Sequence, residues 1–452
     1  MFIKNLNCRF RNNSKKRFSE KLETFPRMVI ILLILSEFLM GSSLNSLKIG
    51  NENIPFIFEE SRQLPIVSMQ LVFEVAGSIS DENLSGVANL AASLLNEGSS
   101  ISDEDKFADI LDESAIHLSA DIGVETLVVR LDSLKENFSK GIEILVEVLN
   151  YPNSKKSTFE RVKNRIKSRI LQKGSNFDYL GSLGLKELLF KDTPLGNPKD
   201  GKIEDIDKIK VSHVEKFFEE RITLSNVIPV IGGDLSKEEA IQYLEKVLAT
   251  LEIGERRELP KYNVSIKENF KKIVKDTKQA YIYFGSPLNA KYEDNDLYKL
   301  KVMSFILGAS GFGSRLMEEI RVKGGLAYSV YANTQVDKSR SFFSGHLQTK
   351  TENLESAKSL VKNIISKFIE NGITEDELQS AKRFLLGSEP LRNETLSQRV
   401  DRAFHEYYRD KPLGYGKIEL EAIKNLELTD LNSFIKNHGE ILNLSFSIVT
   451  AE

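Results

Sequence analysis

A single cysteine, Cys8, is the only thiol in 452 residues, so no disulfide can close within the chain and its stability must come from core burial. Proline is sparse at 11 residues, and hydrophobic residues at 41% beside charged residues at 28% exclude a disordered or low-complexity chain. Neither sign of charge dominates. The 62 basic and 65 acidic side chains leave a net −3, too little to draw the protein toward nucleic acid over a distance. Long apolar runs are missing as well: Met28 to Leu35 followed by Phe38-Leu39-Met40, with Glu37 inside, falls short of the ~20 residues that a membrane-spanning helix needs. A membrane-embedded bundle is thereby excluded, and no stable span is expected in the mature chain. The length suits two or three domains with a sizeable core.

The charge that is present is unevenly placed. Residues 1–43 hold eight Lys and Arg against Glu20, Glu23 and Glu37, a net +5 that leaves −8 on the remainder. A basic stretch, an apolar run and the small residues Gly41-Ser42-Ser43 form the three regions of an export signal. Cleavage is expected near Ser43, with the mature chain in the periplasm. A start at Met28 and an uncleaved amphipathic arm are the alternatives. Cys8 lies inside this leader, which leaves the mature chain no thiol for catalysis or lipid attachment.

Two stretches of the chain share one plan. Val67, Met69, Leu71, Phe73 and Val75 alternate at period two and end at Ala76-Gly77-Ser78; Ala280 to Phe284 ends at Gly285-Ser286. Each run leads into a helix, near Leu84 to Asn96 and near Asp296 to Leu307. Farther on, Asn137 and Asn353 open matching helix pairs, and each half closes on an apolar strand, Val227 to Ile231 and Leu444 to Val449. Gly254-Glu255-Arg256-Arg257-Glu258-Leu259-Pro260 reads as a linker. The expected organisation is a leader (1–43), an N-terminal α+β module (44–250), a linker (251–272) and a C-terminal α+β module (273–452). Each module is expected to be a mostly antiparallel sheet with helices packed on one face.

Several ordered stretches then carry a resemblance. Gly86-Val87-Ala88 opens the first helix, Pro194-Leu195-Gly196 precedes Gly201, and Val230-Ile231-Gly232-Gly233-Asp234 closes a strand. Most specific is the run from Ser314-Arg315-Leu316-Met317 through Arg321 and Gly324-Gly325-Leu326-Ala327-Tyr328-Ser329-Val330. Over roughly residues 46–452 the chain resembles the pitrilysin/insulinase family of zinc peptidases, which includes processing peptidases and respiratory core proteins. The resemblance implies two homologous modules that form a clam shell over an extended peptide.

The family's zinc motif, H-x-x-E-H, puts two His on one helix face with a Glu to activate water. The matching segment here is Asn89-Leu90-Ala91-Ala92-Ser93, with neither His nor the Glu. Val87, Leu90, Ala91, Leu94 and Leu95 still form an apolar stripe, with Asn89, Ala92, Ser93 and Asn96 opposite. The third ligand position, a Glu in the family, falls on Arg169, whose fixed charge opposes a divalent cation. No metal or other cofactor is therefore expected in this chain. His117, His213, His346, His405 and His438 are scattered rather than spaced as ligands, and Gly308-Ala309-Ser310-Gly311-Phe312 has the wrong spacing for a serine nucleophile elbow.

Arg321 and Tyr328 match the arginine and tyrosine that the family's second half aims at the reacting carbonyl. They are the catalytic residues the resemblance implies. Leu118-Ser119 is the nearest match to the family's substrate-holding Asn-Ala pair and lacks the Asn. A lost metal site beside a kept Arg/Tyr pair leads us to expect the zinc-less subunit of a two-chain metallopeptidase. It would be inactive alone and would act with a homologous zinc-bearing partner on an extended peptide substrate. The alternative is a non-catalytic peptide-binding or structural scaffold with the same fold.

Overall fold

The computed structural model describes residues 41–102 and 104–451. Residues 1–40 of the expected leader, with Cys8, lie outside the described residues. In the first lobe, β1 (Ser43–Ile49) and β2 (Glu52–Glu60) form an antiparallel hairpin, so a strand starts at the residue where the leader was expected to end. Then come β3 (Ile66–Glu74), the helices α1 (Val87–Leu95) and α2 (Glu104–Glu113), and the hairpin of β4 (Ile116–Ile122) and β5 (Thr126–Leu134). Three long helices follow, α3 (Lys135–Asn150), α4 (Lys156–Lys173) and α5 (Phe177–Leu189). The lobe closes with α6 (Val211–Arg221), β6 (Val227–Gly233) and α7 (Lys237–Leu248).

The second lobe repeats the plan. It runs through β7 (Phe270–Val274), β8 (Gln279–Pro287), α8 (Leu297–Ser304), β9 (Ala327–Val336) and β10 (Ser341–Lys350). The helices α9 (Leu354–Asn371), α10 (Glu375–Gly387), α11 (Leu396–Tyr408), α12 (Tyr415–Asn425) and α13 (Leu428–Lys436) precede β11 (Ser445–Thr450). The first sheet has the order β1-β2-β6-β3-β5-β4 and the second β7-β11-β8-β10-β9. With β1 set aside the two orders coincide, including one parallel pair in each, β2 with β6 and β7 with β11. β7 begins inside the span expected to be linker: Lys271 and Lys272 interrupt the apolar alternation that would have revealed it.

Strand alternation shows where the cores lie. Phe56 and Phe58 of β2, with Met69, Leu71 and Phe73 of β3, point into the main core of the first lobe, beneath α1 and α3. Ile57 and Val72 point the other way, and the opposite face of this sheet is covered by Leu396, Val400 and Phe404 of α11, a helix of the second half. The exchange is mutual. Leu185 and Leu189 of α5 cover the reverse face of the second sheet, beside Tyr283 and Phe342. Each sheet thus has its expected layer of helices on one face and one helix from the opposite half on the other. The two lobes form the clam shell with each half reaching across.

Candidate functional site

The first-lobe site begins at the N-terminus of α1. Asp81 accepts hydrogen bonds from the backbone N–H of Gly86 (2.7 Å) and Ala88 (2.8 Å). Burial pushes its carboxyl up to about 7, although those two donors oppose the shift. Gly86, at φ +102°, adopts a conformation that disfavours a Cβ. Along α1, Leu90, Ala91, Leu94 and Leu95 are buried as the stripe predicts. Asn89 and Ala92, expected on the face opposite that stripe, are buried too, and α4 packs against that helix.

The structure brings Asn89 and Arg169 together. The Arg169 guanidinium lies 3.5 Å from the Asn89 Oδ1 and pairs with Asp200 at 3.1 Å, while Lys173 pairs with the same carboxylate. One turn along, Arg161 and Arg165 hold Glu97 at 2.7 and 2.5 Å. A polar brace therefore joins α4 to α1 and its flanking loop. These residues do not fit zinc: a guanidinium offers no lone pair, and its charge repels a cation at the point where a carboxylate would be needed. Among the described residues no group of three or more His, Cys, Asp or Glu could hold a metal ion.

In the second lobe Arg321 lies in the wide, π-type helical turns Met317–Lys323, which end at Gly324 and Gly325. Tyr328 is the second residue of β9, the last strand of its sheet. The Arg321 guanidinium sits between two rings, Phe312 at 4.6 Å and Tyr328 at 4.7 Å from the centroids. Phe312 is placed there by a turn between Gly311 (φ +66°) and Gly313 (φ +87°), closed by the Ser314 N–H on the Gly311 carbonyl at 3.0 Å. Tyr328 and Phe312 are 81% and 71% exposed, so this cluster faces solvent rather than a core. Among the described residues Arg321 makes no side-chain hydrogen bond or ion pair, which leaves the edge donors of a ring-clamped guanidinium available.

Arg315, earlier in the same helical stretch, is different. Both its Nε and Nη2 bond Glu377, at 2.5 and 2.7 Å, and it lies over the Phe368 ring. Burial opposes ionisation of Glu377, but these bonds and the Thr374 N–H hold its carboxyl below the usual range. Arg315 is a structural tie. Sequence reasoning missed Phe312; its only signal was a lone aromatic between two glycines immediately before the motif.

Leu118 and Ser119 lie on β4, the last strand of the first sheet, and both are partly exposed. The histidines do not converge: His438 bonds Glu440 at 2.8 Å, and His346 stacks on Tyr283. A groove of about 750 Å³ lies at Ile66, His117, Arg130 and Leu396, away from Arg321 and Tyr328.

Sequence comparison matches residues 56–199 to the profile described as Insulinase (Peptidase family M16), and residues 208–385 to that of the Peptidase M16 inactive domain. The chain is 42% identical over 423 residues to "Non-peptidase homolog YmxG" of Helicobacter pylori, covering 93% of this chain and 98% of that protein. It is 24% identical to an "Uncharacterized zinc protease" of Rickettsia bellii, over 75% of this chain and 79% of the relative. Among solved structures, a peptidase M16 inactive domain from Pseudomonas fluorescens superposes with TM-score 0.83 at 25% identity, covering 91% of this chain and 98% of that one. A Helicobacter pylori protease shares the fold, with TM-score 0.80 at 16% identity and coverage of 91% and 100%.

Proposed function

We infer the function from the premise that the chain belongs to the insulinase family, peptidase family M16: it is the zinc-less subunit of a two-chain peptidase, presenting Arg321 and Tyr328 to a homologous zinc-bearing partner. The observation that carries this reading is the contrast between the two lobes. Where family members hold a metal, Arg169 and Asp200 close the position with a salt bridge. The second lobe holds Arg321 by its faces and leaves Tyr328 81% exposed at a sheet edge. The matched profile described as inactive and the non-peptidase relative support a chain without peptidase activity of its own.

During peptide hydrolysis the scissile carbonyl oxygen gains negative charge. A phenol O–H and a guanidinium N–H, already oriented, donate to that oxygen and to the neighbouring backbone at no reorganisation cost. Phe312 and Tyr328 cover the guanidinium faces and direct binding to its edge, where planar carbonyl acceptors fit. The partner's metal supplies the activated water. The substrate is an extended peptide, and the export-type leader supports a periplasmic location for the assembly. A second reading, a peptide-holding scaffold with no chemistry in either chain, is favoured by the non-peptidase naming of the Helicobacter relative.

Co-expression with a homologue that carries H-x-x-E-H, followed by Arg321→Ala or Tyr328→Phe in this chain alone, tests the assignment. Loss of a preorganised donor should lower turnover by ~10²- to 10³-fold with assembly intact. Unchanged turnover would remove the catalytic role and leave the scaffold.

A further inference from the structure

The last strand of a sheet offers its outward backbone groups to any extended chain that can pair with it. In the first lobe that strand is β4, bonded on one side to β5. Outward groups at Ala120 and Ile122 are already engaged by side chains. Asn96, at the end of α1, donates from Nδ2 to the Ala120 carbonyl at 2.8 Å, and its Oδ1 accepts from the Ala120 N–H at 2.7 Å. Lys199 donates to the Ile122 carbonyl at 3.1 Å, two residues farther along the same edge. Just before the strand, Asn137 donates to the Ser114 carbonyl at 2.8 Å.

A carboxamide has the same donor and acceptor as a peptide group. One that both gives and receives at a single residue reproduces the pairing an added antiparallel strand would make there. An incoming peptide cannot bond Ala120 without displacing Asn96. The corresponding strand of the second sheet differs. On β9 the Thr334 N–H donates to Ser304 Oγ at 3.2 Å, the Val336 carbonyl accepts from Arg409 at 3.4 Å and Gly308 lies against the Ala332 backbone, but among the described residues no side chain bridges both backbone groups of any one residue.

We propose that Asn96 is an edge latch: its side-chain amide occupies the strand-pairing position at Ala120, so the first lobe takes up no extended peptide and the chain engages substrate through the second lobe. This deepens the reading of the protein as a peptide-handling subunit and rests on it for its purpose. The latch itself is tested without any partner. Asn96→Ala removes both bonds. Asn96→Asp keeps an acceptor for the Ala120 N–H and loses the donor, which guards against a fold defect in the first variant.

The experiment measures two things on the isolated protein and both variants: amide hydrogen exchange at Ala120, and binding of a fluorescein-labelled dodecapeptide of alternating valine and threonine with lysine ends. Without Asn96 the Ala120 amide should exchange at least about tenfold faster, and the peptide should bind about tenfold tighter, with the Asp variant between. Equal peptide affinity for wild type and Asn96→Ala would overturn the latch, whatever the exchange rate does. Unchanged exchange at Ala120 would overturn it as well. Failure of the subunit reading would show instead in the turnover of the two-chain assembly, which this binding measurement does not touch.

Discussion

Asp81 does two jobs that conflict. It caps α1 by accepting from Gly86 and Ala88, which favours the carboxylate, yet burial favours the acid and wins, raising the group to about 7 from an ordinary 3.8. A folded-state value above the unfolded one means that the folded protein binds the proton more tightly. The stability gained this way is fully present below 3.8 and is lost as pH rises through about 7. Asp81→Asn keeps an oxygen acceptor and removes the titration. Wild-type Tm should therefore fall relative to the variant between about pH 4 and pH 8; parallel Tm profiles over that range would contradict the assignment.

Residue identities at the site were legible in part. The missing His and Glu of positions 89–93 and the misplaced charge of Arg169 can be read directly from the letters. Asp200, which holds Arg169, could not be found that way, because the salt bridge depends on how the chain after α5 returns to α4. Phe312 was hidden for another reason: an aromatic in a glycine turn looks like a loop residue until its ring is seen on the guanidinium. Phe312→Ala should leave the fold intact and lower turnover of the two-chain assembly, whereas Phe312→Tyr, which keeps a ring over Arg321, should restore it. Equal turnover of all three proteins would show that the clamp has no effect.

At the scale of elements, apolar periodicity revealed the paired helices and the closing strands, because those signals are local. It did not reveal that α5 and α11 change sides. Amphipathicity shows that a helix has a buried face but not which sheet receives it, and Gln70 and Arg130 give the reverse face of the first sheet a polar look. Close approach of α5 depends on its glycines: a Cβ at Gly181 would overlap the Tyr283 ring, and one at Gly184 would overlap Ser447. Gly181→Ala should destabilise the protein by about 1–3 kcal/mol through overpacking. Gly387→Ala in α10, where a Cβ meets nothing, should be neutral or stabilising by up to about 1 kcal/mol. Denaturant midpoints of the two variants would decide, and equal midpoints would mean that α5 has slack against the second sheet.

Across the whole molecule the exchanged helices are reinforced by polar ties between the lobes. Buried Glu125 accepts from the Ser339 N–H at 2.7 Å and from the Tyr408 hydroxyl at 2.8 Å. Asp178 accepts from Tyr283 and Gln348, each at 2.9 Å, and Arg399 pairs with Glu59 at 2.5 Å. Neither sheet keeps both faces covered if the lobes part. Calorimetry should accordingly show one cooperative unfolding transition; two resolved transitions would mean that the lobes fold independently. The same lacing makes the shell a firm platform for the ring-clamped Arg321 and the exposed Tyr328.

Metal analysis of this chain, purified alone and then as an assembly with an H-x-x-E-H homologue, tests the division of labour most directly when combined with a chelator-sensitive peptide cleavage assay. The account predicts no stoichiometric zinc and no cleavage for the chain alone, and one zinc per assembly with activity that disappears on chelation. One zinc bound per isolated chain, with chelator-sensitive cleavage, would contradict it.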